Sequence, residues 1–168
     1  HYHLLYGNTY GLGTCVLRMT NCFGPGMRVS ASRPTVAGAW IRAVLDDEPI
    51  QVWGDGTQIR DLNYVDDVVD ALVRASTHPG AAGRILNLGN APVTLGELAQ
   101  TIVDVNGSGS VTITPFPEGR QAIDIGSYQG DFTEATKVMG WTPKVSLRDG
   151  LRATLDFYRL HRNEYWDA

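Results

Sequence analysis

The residues best suited to chemistry lie between Pro49 and Ala75, in the stretch PIQVWGDGTQIRDLNYVDDVVDALVRA. Arg60 follows the Gly54-Asp55-Gly56 turn, whose glycines reach positive φ without steric cost. The turn therefore holds a permanently charged guanidinium near the mouth of a strand pair. A planar, multi-donor cation in that place suits a phosphate or a carboxylate. The competing reading is a plain strand–turn–strand–helix with one solvated arginine. Asn21 is the second candidate, at the carboxyl end of the apolar run Cys15 to Thr20 and just before Cys22-Phe23-Gly24-Pro25-Gly26. Open α/β sheets bind ligands outside the carboxyl ends of their strands. The Asn21 amide then either contacts a ligand or satisfies backbone groups of the loop. A third region, Pro115 to Gly130, has no periodicity and carries Glu118, Arg120, Asp124 and Tyr128. So long a loop in a compact domain is uncommon unless it is functional.

Local patterns predict the elements that must position these groups. Ile50 to Trp53 and Arg60 to Val65 alternate as strands, and Asp66 or Asp67 is suited to cap a helix carrying Val68, Val69, Leu72 and Val73. Cys15 to Thr20 and Arg84 to Leu88 read as strands buried on both faces of a parallel sheet. Residues 34–46 predict a helix with Pro34 in its first turn and an apolar stripe of Val36, Ala37, Trp40, Ile41, Val44 and Leu45. Thr94 to Glu97 and Asp131 to Glu134 both read as capping boxes. Val111 to Thr114 predicts a strand, and Gly140 closes a short helix. The last helix starts at Ser146 and turns Leu151, Leu155, Tyr158 and Tyr165 inward. Strands alternate with helices through short connections, which argues α/β.

Composition narrows the function classes. An apolar share of 43% and a charged share of 19% are those of an ordinary globular chain. The net charge of −4, with no Lys/Arg run, argues against a nucleic-acid partner. No apolar run approaches the roughly 20 residues that span a membrane. Cys15 and Cys22 read as free thiols of a reducing, cytoplasmic setting, and no metal-ligating set is expected. The opening HYHLLYGNTYGLG has neither an initiator Met nor a signal-peptide pattern. Tyr2, Leu5 and Tyr6 sit at helical spacing before Gly11, like the tail of a helix that begins elsewhere. The expectation is a fragment of a longer protein.

Four motifs in register carry a resemblance: Tyr10-Gly11-Leu12 with VLRMTNCFGPG, PIQVWGDGTQIRDLNYVDDVVDAL, ILNLG with its TLGEL helix, and GWTPKVSLRDGL. In order and spacing they resemble the C-terminal half of extended short-chain dehydrogenase/reductases, the NAD-dependent nucleotide-sugar epimerase/dehydratase family, over essentially the whole chain. The resemblance implies the last strands of a Rossmann-type parallel sheet plus a small mixed α/β substrate-binding subdomain. Residues 1–26 and 80–95 would end the sheet, and 27–79 with 96–168 would form the nucleotide-sugar-binding part.

The resemblance also implies roles. Asn21 would contact the sugar-nucleotide diphosphate, the Gln51 to Trp53 strand would offer backbone groups to the nucleobase, and Arg60 would neutralise phosphate. Arg120 and Asp124 would bind phosphate and ribose. The Gly-rich dinucleotide fingerprint is absent, and so is the catalytic Tyr-x-x-x-Lys pair: the only lysines are Lys137 and Lys144. No catalytic residue and no NAD-binding residue is therefore expected within this chain. The implied enzyme uses NAD and is a homodimer, while the chain alone is expected to be inactive. Its bare sheet edge should seek the missing N-terminal half or a second copy. The alternatives are a non-catalytic nucleotide-sugar-sensing module and a structural remnant.

Overall fold

The computed structural model describes residues 1–30 and 35–166. These residues divide into two compact units. The first contains residues 1–22, 61–91 and 129–145; the second contains 23–60, 92–128 and 146–168.

The first unit opens with α1 (Tyr2–Tyr10), closed by Gly11 in the left-handed conformation at φ 69°. Strand β1 (Val16–Arg18) pairs in parallel with β5 (Ile85–Asn87), Val16 opposite Ile85 and Arg18 opposite Asn87. Between them in sequence lies α3 (Val65–Thr77), and α5 (Thr133–Met139) follows later and packs on β5. Val68 and Ala71 of α3, Leu86 and Leu88, Ala135 and Met139 of α5, and Trp141 form the core. Each large side chain so buried contributes roughly 1.5–3 kcal/mol.

Asp67 is not the expected helix cap. Tyr64 occupies that position, and its side chain does not cap the helix. Asp67 is buried instead, accepting the N–H groups of Lys144 and Val145 at 3.0 and 3.1 Å, while its carbonyl accepts the Trp141 indole N–H at 2.9 Å. A carboxylate that finds two main-chain donors across the fold is held more firmly there than at its own helix end. The second capping box is also corrected: Phe132 stands at the N-cap of α5. Asp131 accepts the N–H of Thr133, and Glu134 pairs with Lys137.

Burial departs from the predicted pattern in three places. Val16 and Leu17 are only half-buried, Arg18 is exposed and Ile85 is 43% exposed, so this strand pair is not covered on both faces. On α3, Val69, Leu72 and Val73 meet solvent while Val68 and Ala71 face the core. Tyr2, Leu5 and Tyr6 on α1 are exposed as well. The apolar stripes are wider than the surface that covers them.

The second unit is built on β3 (Ile50–Trp53) paired in parallel with β7 (Val111–Thr114), Ile50 opposite Val111 and Trp53 opposite Thr114. Helices α2 (Val36–Leu45) and α4 (Leu95–Asn106) pack on β3, and α6 (Leu147–Leu160) packs on both helices. The predicted alternation holds on β3: Ile50 and Val52 are fully buried, Gln51 and Trp53 exposed. Leu151, Leu155 and Tyr158 of α6 are fully buried, and α7 (Arg162–Tyr165) follows, where Tyr165 packs edge-on against Tyr158. Thr35 caps α2, whose Val36 is exposed rather than part of the stripe, and Pro34 lies outside the described residues. The capping box of α4 is complete in both directions between Thr94 and Glu97.

Two short strands had no sequence signal, β2 (Asn21–Phe23) and β6 (Pro92–Thr94). With β4 (Ile59–Tyr64) they form a sheet in the order β2-β4-β6. Three residues are too few to display a period.

Candidate functional site

The chain reaches Arg60 through the Gly54–Gly56 turn. Gly54 has φ 83°, and a Cβ on it would stand 2.6 Å from the Phe116 ring and 2.9 Å from Nε2 of Gln58. The turn needs glycine there for conformation and for space. Asp55 fastens the far side, accepting the Thr57 N–H at 3.0 Å and its hydroxyl at 2.7 Å. Those two bonds hold the Asp55 carboxyl below its ordinary value.

Arg60 is not a solvated side chain. Only 13% of it is exposed. Nη1 donates to the carbonyls of Ile59, at 2.8 Å, and Gly126. Nη2 pairs with Oδ1 of Asp124 at 3.4 Å. Asp124 in turn accepts the Gly126 N–H at 3.1 Å. Ser127 Oγ accepts the Ile59 N–H, and the Tyr128 N–H donates to the Ile59 carbonyl, both at 3.0 Å. Residues 124–128 are thus laid along the start of β4 with the guanidinium as their clamp. Two candidates 64 positions apart in sequence are direct partners. A carboxylate oxygen already rests on this guanidinium, and a phosphate oxygen has the same charge and bonding preference.

The other candidates in the second unit are not drawn into that pair. Arg120 is exposed, and its N–H donates to the Pro117 carbonyl just before a single 3-10 turn over Gln121–Ile123. On β3, the carbonyl of Gln51 accepts the Trp40 indole N–H at 3.1 Å, and that of Trp53 accepts Gln58 Nε2 at 3.4 Å. The Gln51 and Trp53 carbonyls are thus engaged within the chain, while the side chains of Gln51 and Trp53, the latter 40% exposed, face solvent. Gln58 was not legible beforehand. It lies against Gly54, and its buried Oε1 has no hydrogen-bond partner among the described residues.

Asn21 belongs to the first unit, where its Nδ2 donates to the carbonyl of Asp61 at 3.3 Å. Its amide is thereby tied to the backbone of β4. Cys15 and Cys22 are both free, and burial pushes their thiols up, which keeps them protonated and poorly nucleophilic. Among the described residues no group of His, Cys, Asp or Glu could hold a metal ion, and no helix is long and apolar enough to cross a membrane.

The family model for the NAD dependent epimerase/dehydratase family matches residues 1–89. The chain belongs to that family. It is 32% identical over 157 residues to a UDP-glucose 4-epimerase of Mycolicibacterium smegmatis, covering 92% of this chain and 48% of that protein. It is 33% identical over 163 residues to UDP-glucuronic acid decarboxylase 3 of Arabidopsis thaliana, covering 94% and 44%. Among solved structures, the UDP-glucose 4-epimerase of Thermotoga maritima with UDP-glucose superimposes with a TM-score of 0.85 at 29% identity, over 96% of this chain and 50% of that one. The chain spans about half the length of the curated relatives it matches. With its parallel strand pairs and alternating helices, the chain has the α/β, Rossmann-type fold of these extended short-chain dehydrogenase/reductases.

Among the described residues, the two helices that open directly from a strand, α3 and α4, do not fit the dinucleotide of an NAD-dependent enzyme. A pyrophosphate needs a glycine-rich turn that opens from a strand into a helix N-terminus. Helix α3 opens directly from β4 with Asp66 and Asp67 in its first turn, a like charge for a phosphate. Helix α4 opens from β6 with its first turn closed by the Thr94–Glu97 box.

Proposed function

We propose that this chain is the C-terminal, nucleotide-sugar-binding half of an NAD-dependent epimerase or dehydratase, with its dinucleotide fingerprint and Tyr-x-x-x-Lys pair carried by upstream sequence. The observation that supports it most is the Arg60–Asp124 pair, a nearly buried guanidinium held at a strand mouth by the aperiodic loop over residues 115–130. Relatives of this chain are named for action on UDP-glucose and UDP-glucuronic acid. The ligand class is accordingly a nucleoside-diphosphate sugar. In the intact enzyme NAD, held by residues upstream of this chain, would supply the hydride acceptor and donor for the sugar ring.

This chain's own residues bind and orient. Arg60 and Arg120 neutralise phosphate, Asn21 contributes an amide to the diphosphate, and Asp124 accepts from the ribose hydroxyls. Trp53 offers its exposed ring to the base, and Gln51 lies beside it on β3. Holding the sugar in one pose against a reacting partner is itself a large share of catalysis. The chain alone would be inactive, and the intact enzyme a homodimer.

The test is calorimetric titration of the full-length protein with UDP-glucose and UDP-glucuronic acid, beside NAD titration of the isolated 168 residues. Nucleotide-sugar binding by the first and no NAD binding by the second support the reading. Micromolar NAD affinity in the isolated chain, or indifference of the whole protein to both sugars, refutes it.

A further inference from the structure

A fully buried carboxylate outside the Arg60 cluster is the feature of this chain that its binding groups leave unexplained. Asp61 and Asn63, two apart on β4 and so on one face of it, are each 0% exposed. Asp61 Oδ2 accepts the Gly130 N–H at 2.8 Å. Among the described residues its Oδ1 has no hydrogen-bond partner, and neither has Oδ1 of Asn63. Asn63 Nδ2 donates to the Thr20 hydroxyl at 2.7 Å. Burying a carboxylate with one oxygen unpaired opposes folding, so a carboxylate there needs another reason.

Its surroundings supply one. The main-chain carbonyl of Asp61 is the acceptor for the Asn21 amide. A single residue thus holds Asn21 by its backbone and the end of the aperiodic loop by its side chain. The fit around it leaves no slack. A Cβ on Gly89 would lie 2.4 Å from the Gly130 carbonyl and 3.0 Å from Asp61 Oδ2. A Cβ on Gly130 would lie 2.7 Å from the Leu88 carbonyl and 3.1 Å from Asp61 Oδ2. Neither glycine has a positive φ, so both serve close approach. Thr20 and Asn63 bind the residue just before Asn21 to the same face of β4. Asn90 reaches the Leu62 carbonyl beside it, at 3.1 Å.

We propose that Asp61 is a positioning residue for nucleotide-sugar binding: its buried carboxylate anchors Gly130 and sets the β4 backbone against which the Asn21 amide is oriented. The inference rests on the reading of Asn21 as a diphosphate contact. Asp61 itself touches no ligand. Removing its carboxylate lets Gly130 withdraw and leaves Asn21 hydrogen-bonded to a backbone that is no longer fixed.

The test uses the full-length protein and four variants, Asp61→Ala, Asp61→Asn, Asn21→Ala and the double variant Asp61→Ala/Asn21→Ala. One arm needs no ligand: hydrogen exchange at the Gly130 N–H, faster in Asp61→Ala and restored in Asp61→Asn, whose amide oxygen still accepts that bond. The second arm is UDP-glucose affinity. Asp61→Ala and Asn21→Ala should each raise Kd by about tenfold, the scale of one charge-assisted hydrogen bond. The double variant should fall no further than either single one, because both act on one contact. Unchanged Gly130 exchange overturns the anchor, and additive losses in the double variant overturn the positioning of Asn21. If Asp61→Ala does not fold, Asp61→Asn decides: it should keep Gly130 protected and Kd within about threefold, and a full tenfold loss refutes the proposal. Absence of UDP-glucose binding in the unaltered protein would defeat the proposed function while leaving the exchange arm decisive for the anchor.

Discussion

Replacing Arg60 by alanine should separate its two roles, clamp and ligand contact. The guanidinium holds residues 124–128 through the Gly126 carbonyl and the Asp124 carboxylate, while its bond to Ile59 is local. With side chains 13% and 25% exposed at 3.4 Å, the ion pair lies between a surface pair and a buried one. About 1 kcal/mol is reasonable for it after solvent screening. The charged hydrogen bond to Gly126 adds roughly 1.5–3 kcal/mol. These terms overlap, so local opening of 124–128 should become easier by about 2–3 kcal/mol, a roughly 30- to 150-fold rise in amide exchange there. Global stability should change little, because the loop lies outside the buried core. Calorimetry with UDP-glucose should show an affinity loss of roughly 1.5–3 kcal/mol in the intact protein. Arg60→Lys should recover only part of both effects, since an ammonium is a point charge and cannot span Gly126 and Asp124 as a planar fork does. Unchanged exchange at 124–128 with unchanged affinity would refute both roles.

Other outcomes are expected elsewhere. Asp67→Ala strands the Lys144 and Val145 N–H groups and should cost about 2–4 kcal/mol in urea unfolding. Thr94→Ala opens the capping box of α4 and should cost about 1 kcal/mol by the same measurement. Tyr158 is buried with its phenol pushed up from 10.0 to about 12, by desolvation first and by Tyr165 second. Folding therefore favours the protonated phenol: that stability is intact below pH 10 and is lost as pH rises toward 12, on the order of 2 kcal/mol in all. Tyr158→Phe should flatten that alkaline slope in a pH series of thermal melts. Exchange across residues 115–130 should slow when UDP-glucose binds, and equal protection with and without it would make this loop merely structural.

The sequence by itself determined what local physics can write. Alternation over Ile50 to Trp53 put Ile50 and Val52 inside and left Trp53 outside, because strand side chains alternate whatever the partner strand. The spacing of Leu151, Leu155 and Tyr158 named the buried face of the last helix, and Thr94 with Glu97 named the start of α4. The need for glycine at position 54 was visible from the turn alone. Tertiary structure decided where polar groups find partners. Asp66 or Asp67 looked like a cap, yet Asp67 turned inward because Lys144 and Val145 present two donors that no local pattern contains. Arg60 and Asp124 were each singled out, but their pairing spans 64 positions and follows from the loop laid beside β4. Val69, Leu72 and Val73 matched a core stripe as well as Val68 did, and only the width of the covering surface told them apart. Asp61 lay unmarked beside Arg60. A buried carboxylate has the same letter as a solvated one, and only the fold around Gly89 and Gly130 distinguishes the two.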